Sequence, residues 1–143
     1  MNIYALAIGA VTAVVTMLLF KAWRLERTAW AYPVLLATFP VNYWVFAVHA
    51  ADFSALRGEV LMGLTFLVVA FIAFRFRSLI ALLVLAAGYV LHAAYDFYHD
   101  VFFVNPGAPV WWPEFCGSVD VLLGAYIAWL AFSIPGNAGA SRR

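Results

Sequence analysis

One short stretch carries donor types suited to metal or proton chemistry: His92, Asp96 and His99 read H-x-x-x-D-x-x-H. At helical pitch Gly88, His92, Asp96 and His99 fall at i, i+4, i+8 and i+11, so all four share one stripe. Cys116, Asp120 and Gly124 form a second stripe of the same kind, and the stretch between the two is a Pro/Gly/Trp-rich turn. Two imidazoles and a carboxylate on one face make a metal half-site that Asp120, Glu59 or Cys116 would complete. Imidazole with carboxylate suits one Zn, Fe or Mn ion, and a Cys116 thiolate would tilt the preference toward Zn or Cu. Without a metal, Asp96, Asp120 and Glu59 are the groups that would shuttle protons as catalytic acids and bases.

Each of these residues also has a plainer reading. His92 can hydrogen-bond across a helix–helix seam, and Asp120 can close a buried ion pair with it. Cys116 reads as a small packed side chain, and Glu59 divides between a pocket and an interface. Arg57 precedes Glu59 by two residues, a spacing that does not share a helix face. His99 and Asp100 fall near the expected water boundary, where solvation is the default, and His49 reads as an interfacial residue.

The rest of the chain must position these groups in an apolar medium. Of 143 residues, 67% are hydrophobic and 10% charged, and the mean hydropathy is +0.96. A soluble domain carries roughly 25% charged residues, so the composition is that of a membrane protein, with the lipid bilayer as its first partner. Ionisable groups are costly in that setting. A net charge of +1 and the lack of a Gly-rich phosphate loop leave no nucleic-acid partner. A single cysteine excludes an internal disulfide. Aromatic residues make up 18% of the chain, which serves packing and interface belts or lines a pocket for an apolar small molecule.

Five apolar stretches approach the ~20 residues needed to cross a bilayer, at about 2–20, 29–50, 55–74, 78–97 and 114–134. They predict an all-α, polytopic transmembrane bundle of five helices in a single domain, 1–143, with consecutive helices as neighbours. The first stretch has no basic residue before it and no small-residue cleavage pattern after it, so it reads as a helix rather than a signal peptide. Lys21, Arg24 and Arg27, then Arg75 and Arg77, then Arg142 and Arg143 fall on one side of such a bundle, leaving Arg57 as the exception among eight basic residues. The positive-inside rule then sets the N-terminus outside and the C-terminus in the cytoplasm.

In that arrangement Asp52, Glu59, Asp96, Asp100, Glu114, Asp120 and all three histidines gather in the outer half, and only Glu26 lies inside. Counting about 1.5 Å per residue places His92 roughly 8 Å below the outer surface of a ~30 Å core, and Asp120 and Glu59 on the order of 6–12 Å below it. Pro33 and Pro40 each remove a donor from the second helix and can kink it. Asn42 and His49 share a face that would look toward the same layer, while Leu122 and Leu123 would turn to lipid. Trp111 and Trp112 suit the headgroup level, and Pro113 with Glu114 suits the first turn of the last helix.

The run H-A-A-Y-D-x-x-H followed by P-x-W-W-P-x-F-C-x-x-x-D resembles small bacterial integral-membrane proteins of the domain-of-unknown-function kind, over about a third of the chain. That resemblance marks His92, Asp96, His99, Trp112, Pro113, Cys116 and Asp120, and implies a bacterial cytoplasmic membrane. Some such relatives carry a second histidine where this chain has Asp100. The expected function is a membrane protein with an outward-facing polar, metal-binding pocket, in its sharpest form an enzyme on a lipid-like or isoprenoid substrate. The rivals are an accessory subunit of a larger membrane complex or homo-oligomer, and a small transporter or metal-handling protein. Against transport stands the inner half, which offers no polar relay.

Overall fold

A computed structural model describes residues 1–76 and 78–133, and every regular element among them is helical. α1 (Ile3–Ala22) leads through a 3₁₀ turn at Leu25–Arg27 to α2 (Ala31–His49), α3 (Phe53–Phe76) and α4 (Leu79–Phe97). A one-turn helix, α5 (His99–Phe102), and a loop then precede α6 (Trp112–Ser133). All but α5 are long and apolar enough to cross a membrane, and these five define a multi-pass helical membrane protein. Arg77, Ile134, Arg142 and Arg143, which figured in the expected spans and orientation, lie outside the described residues.

Short polar residues set the helix starts by taking up free N–H groups. Asn2 Oδ1 accepts from Ala5 N at 3.1 Å, Asp52 Oδ1 from Ser54 N and Ala55 N at 3.0 and 2.9 Å, and Ser78 Oγ from Ala81 N at 3.1 Å. α2 ends where Ala51 adopts a left-handed conformation, φ 53°, which lets Asp52 N reach back to Ala47 O at 3.0 Å. Pro33 falls in the first turn of α2, where its missing N–H costs nothing, so only Pro40 interrupts the helix interior.

Packing around the polar layer depends on close approach. α6 lies between α4 and α1, and α2 packs on α3. At Gly124 a Cβ would come within 3.0 Å of Ala86 O, and at Gly117 within 2.7 Å of the Phe97 ring, so both residues let α6 settle against α4. α1 crosses α6 at Gly9, directly over Ser118 and the Phe115 carbonyl. This corrects the expectation that consecutive helices are neighbours throughout: α1 packs against α6 rather than extensively against α2.

Two further expectations fail by helical phase. The buried stripe of α2 runs Leu36, Pro40, Tyr43, Ala47, so Tyr43 faces the core. Asn42, about 100° further round, bonds the Thr38 and Phe39 carbonyls of its own helix, and His49 is exposed. Leu123 is fully buried in the main core with Leu36, Leu85, Tyr89 and Ile127, and does not face lipid. A second, smaller cluster of Tyr43, Phe66 and Tyr95 lies toward the α5 end, packed by Phe46, Phe103 and Trp112. Trp112 thus turns inward, while Trp111 is 44% exposed.

Candidate functional site

Six polar side chains are buried among the described residues, and all lie toward the α5 end: Glu59, His92, Asp96, His99, Asn105 and Asp120. α4 supplies two of them. Gly88, His92 and Asp96 keep the expected stripe and are all buried. The helix then breaks at Tyr98 (φ −106°, ψ 14°), and His99 enters on α5 instead of continuing the stripe. The break divides the layer into two networks.

The first is a triad. His92 Nδ1 lies 2.8 Å from Asp120 Oδ2 on α6 and 3.3 Å from Asp96 Oδ2 one turn along α4. One ligand atom from each of the three falls within 4.8 Å of the others, and the three residues are at most 1% exposed. The Tyr43 hydroxyl donates to Asp96 Oδ1 at 2.8 Å. His92 Nε2, Asp96 Oδ2 and Asp120 Oδ1 have no hydrogen-bond partner. The imidazole sits among aromatic rings, with Phe66 at 4.6 Å, Phe39 at 5.6 Å and Tyr95 at 6.0 Å between centroids.

The second network is centred on Glu59. Its Oε1 faces His99 Nε2 at 2.7 Å and accepts from Asn105 Nδ2 at 2.8 Å, and its Oε2 accepts from the Tyr95 hydroxyl at 2.6 Å. Asn105 also donates to the Tyr43 carbonyl at 3.1 Å, which holds the α5–α6 loop down on α2. His99 Nδ1 lies 3.4 Å from the exposed carboxylate of Asp100. Burial opposes protonation of His99, but the bond and charge of Glu59 outweigh it, and the His99 pKa is raised above its ordinary value.

The sequence-derived ligand set is therefore only partly brought together. His92, Asp96 and Asp120 meet. His99, expected near water, is buried and pairs with Glu59, because the break after α4 turns it away from the triad. Glu59 completes that second network and not the triad. Cys116 is a buried free thiol outside the three-residue group. Asp100 is exposed, as expected. Among the described residues no Lys or Arg pairs with a carboxylate, so histidines are the only basic side chains that face carboxylates in the layer.

Three participants escaped the sequence reading: Tyr43, Tyr95 and Asn105. Tyr95 was within reach, since it lies three residues after His92 and four before His99 and so shares their face. Tyr43 required the phase of α2. Asn105 sits in a Pro/Gly loop, where nothing in its neighbours marks depth.

Fold and site together define a class: a multi-pass helical membrane protein with a buried histidine–carboxylate layer near one end. Comparison with protein-family models, with curated proteins and with solved structures returns no match.

Proposed function

We propose that this membrane protein works through a buried metal centre formed by His92, Asp96 and Asp120. The observation that carries the reading is the triad itself: one nitrogen and two carboxylate oxygens within 4.8 Å, with Asp96 Oδ2 and Asp120 Oδ1 lacking a hydrogen-bond partner. Unpaired buried carboxylate oxygens are costly, and a divalent ion would satisfy both. The donor set suits Zn, Fe or Mn, and small shifts of the side chains would bring it to metal–ligand distances of about 2.0–2.2 Å.

In this reading the layer faces outward from a bacterial cytoplasmic membrane, an orientation supported by the distribution of the basic residues. A cysteine at Val110, 95% exposed, in a Cys116→Ser background should then react with an impermeant thiol reagent in intact cells. One at Trp23, 67% exposed, should not. Reversed labelling would overturn the orientation.

An enzyme on a lipid-like or isoprenoid substrate is the sharpest form of this reading. Phe39 and Phe66 around His92 would then hold the apolar chain, and α4 and α6 would have to part to admit it. One observation favours a second reading. The 2.8 Å His92–Asp120 contact ties α4 to α6, as it would in an accessory subunit whose triad is only a structural lock.

Elemental analysis of detergent-purified protein separates the two. A metal centre predicts close to one transition-metal ion per chain, lost in His92→Ala, Asp96→Ala and Asp120→Ala alike, with paired substitutions costing little more than single ones. Metal-free protein that cannot be loaded with Zn, Mn or Fe(II) would overturn the centre and leave the lock.

A further inference from the structure

We propose that Tyr43 is the positioning residue of the triad, holding one oxygen of the Asp96 carboxylate so that the other is presented to His92 and Asp120. The inference rests on the metal-centre reading above.

Asp120 needs no such help, because its Oδ2 is oriented by His92 Nδ1 at 2.8 Å. Asp96 is different. Its Oδ2 has no hydrogen-bond partner and lies 3.3 Å from His92 Nδ1. The terminal torsion of an aspartate is broad, so the aim of Oδ2 depends on what grips Oδ1. That grip is the Tyr43 hydroxyl, donating to Oδ1 at 2.8 Å.

Tyr43 is itself fixed from several sides. Its ring stacks on His99 with centroids 4.6 Å apart and planes 12° from parallel. Phe46 and Tyr95 meet it edge-on at 6.2 and 5.7 Å. Its carbonyl accepts from Asn105, and the residue is 1% exposed. A rigid, neutral donor on the far oxygen leaves the carboxylate charge available at the near one, as outer partners of metal-ligating carboxylates do. Tyr95 is the natural control. It is also a buried tyrosine of this layer, but its hydroxyl goes to Glu59 Oε2 at 2.6 Å.

The test is Co²⁺ titration of the detergent-purified full chain, followed by ligand-field absorption. Tyr43→Phe keeps the ring and its stacking and should weaken Co²⁺ binding by about 10–100-fold, with a shifted ligand-field spectrum. Tyr95→Phe should leave both affinity and spectrum as in the wild type. Wild-type behaviour of Tyr43→Phe would overturn the proposal, and so would an equal loss in Tyr95→Phe, which would mark a general effect of loosening the layer.

If Tyr43→Phe does not fold, 3-fluorotyrosine at position 43 retains ring and hydroxyl while altering the donor. It should shift the Co²⁺ spectrum where the same substitution at 95 does not, and identical spectra would overturn the proposal. A wild-type protein that takes up no Co²⁺ removes the centre, and this role with it. That outcome is distinct from a centre that binds Co²⁺ without depending on Tyr43.

Discussion

Two carboxylate networks lie within the same buried layer, a few residues apart along α4 and α5, and they are completed differently. Around Glu59 both oxygens are engaged, by His99, Asn105 and Tyr95, and the partners come from α4, α5 and the α5–α6 loop. Around His92 an imidazole nitrogen and two carboxylate oxygens are left without hydrogen-bond partners, although the residues are at least as deeply buried. A fully paired network rigidifies what it joins. Each unpaired buried group costs about 1–3 kcal/mol, and native interiors keep few of them. The Glu59 network therefore reads as the clamp that closes the α5 end, and the triad, the proposed metal centre, as the network that leaves buried polar atoms without hydrogen bonds.

The largest expected effect breaks this contrast most directly. Glu59→Ala would leave His99, Asn105 and Tyr95 without their shared acceptor and should destabilise by about 3–5 kcal/mol, as removal of one member of a buried pair does. Asp120→Asn keeps an acceptor for His92 Nδ1 and leaves no partner of Glu59 stranded, so it should cost less in metal-free protein while removing metal uptake. Unfolding in mixed micelles gives the stabilities. Equal losses at the two positions would show that both networks are clamps, and would favour the structural lock.

A smaller effect separates the networks through packing. Gly124 lies one turn from Asp120, where α6 touches the Ala86 carbonyl of α4. Gly124→Leu would wedge the helices apart at the triad while leaving Glu59 and its partners untouched. Overpacking of this kind costs about 1–3 kcal/mol. Metal affinity should fall with it, whereas Val121→Ala, at an exposed position of the same helix, should change little. An intact metal site in a folded Gly124→Leu protein would mean that the triad does not depend on the α4–α6 approach.

How much of this was legible in the sequence follows from the same contrast. The spans were legible because apolar length is a direct physical requirement, and His92, Asp96 and Asp120 were legible because an uninterrupted helix fixes which residues share a face. Prediction failed where that regularity stops. The break at Tyr98 redirects His99, and no residue there is a helix breaker that would announce it. On α2 the uniformly apolar sequence carries no phase, so Asn42 was set inward in place of Tyr43. Asn105 acquires its place only when the loop folds over α2, through contacts with Glu59 and Tyr43 more than forty positions away. Charged stripes on regular helices can be read from sequence, and the neutral donors that complete them come from tertiary packing.

The smallest expected effect sharpens the clamp rather than the triad. His99 has its pKa raised in the folded protein: burial opposes the charge, and the Glu59 carboxylate more than compensates. A histidine whose folded value lies above its unfolded value of about 6.5 binds a proton more tightly when folded. Its contribution to stability is therefore complete below the unfolded value and is lost as pH rises through the raised folded value. The loss should be modest, because a neutral imidazole can still donate one hydrogen bond from Nε2 to Glu59. Wild-type protein should thus lose stability on going from about pH 6 to pH 9 relative to His99→Gln, which retains a donor but cannot titrate. Subtracting the two curves cancels the titrating groups that do not contact His99. Parallel curves would show that the Glu59–His99 contact holds no extra proton in the folded state, and that the clamp is neutral throughout.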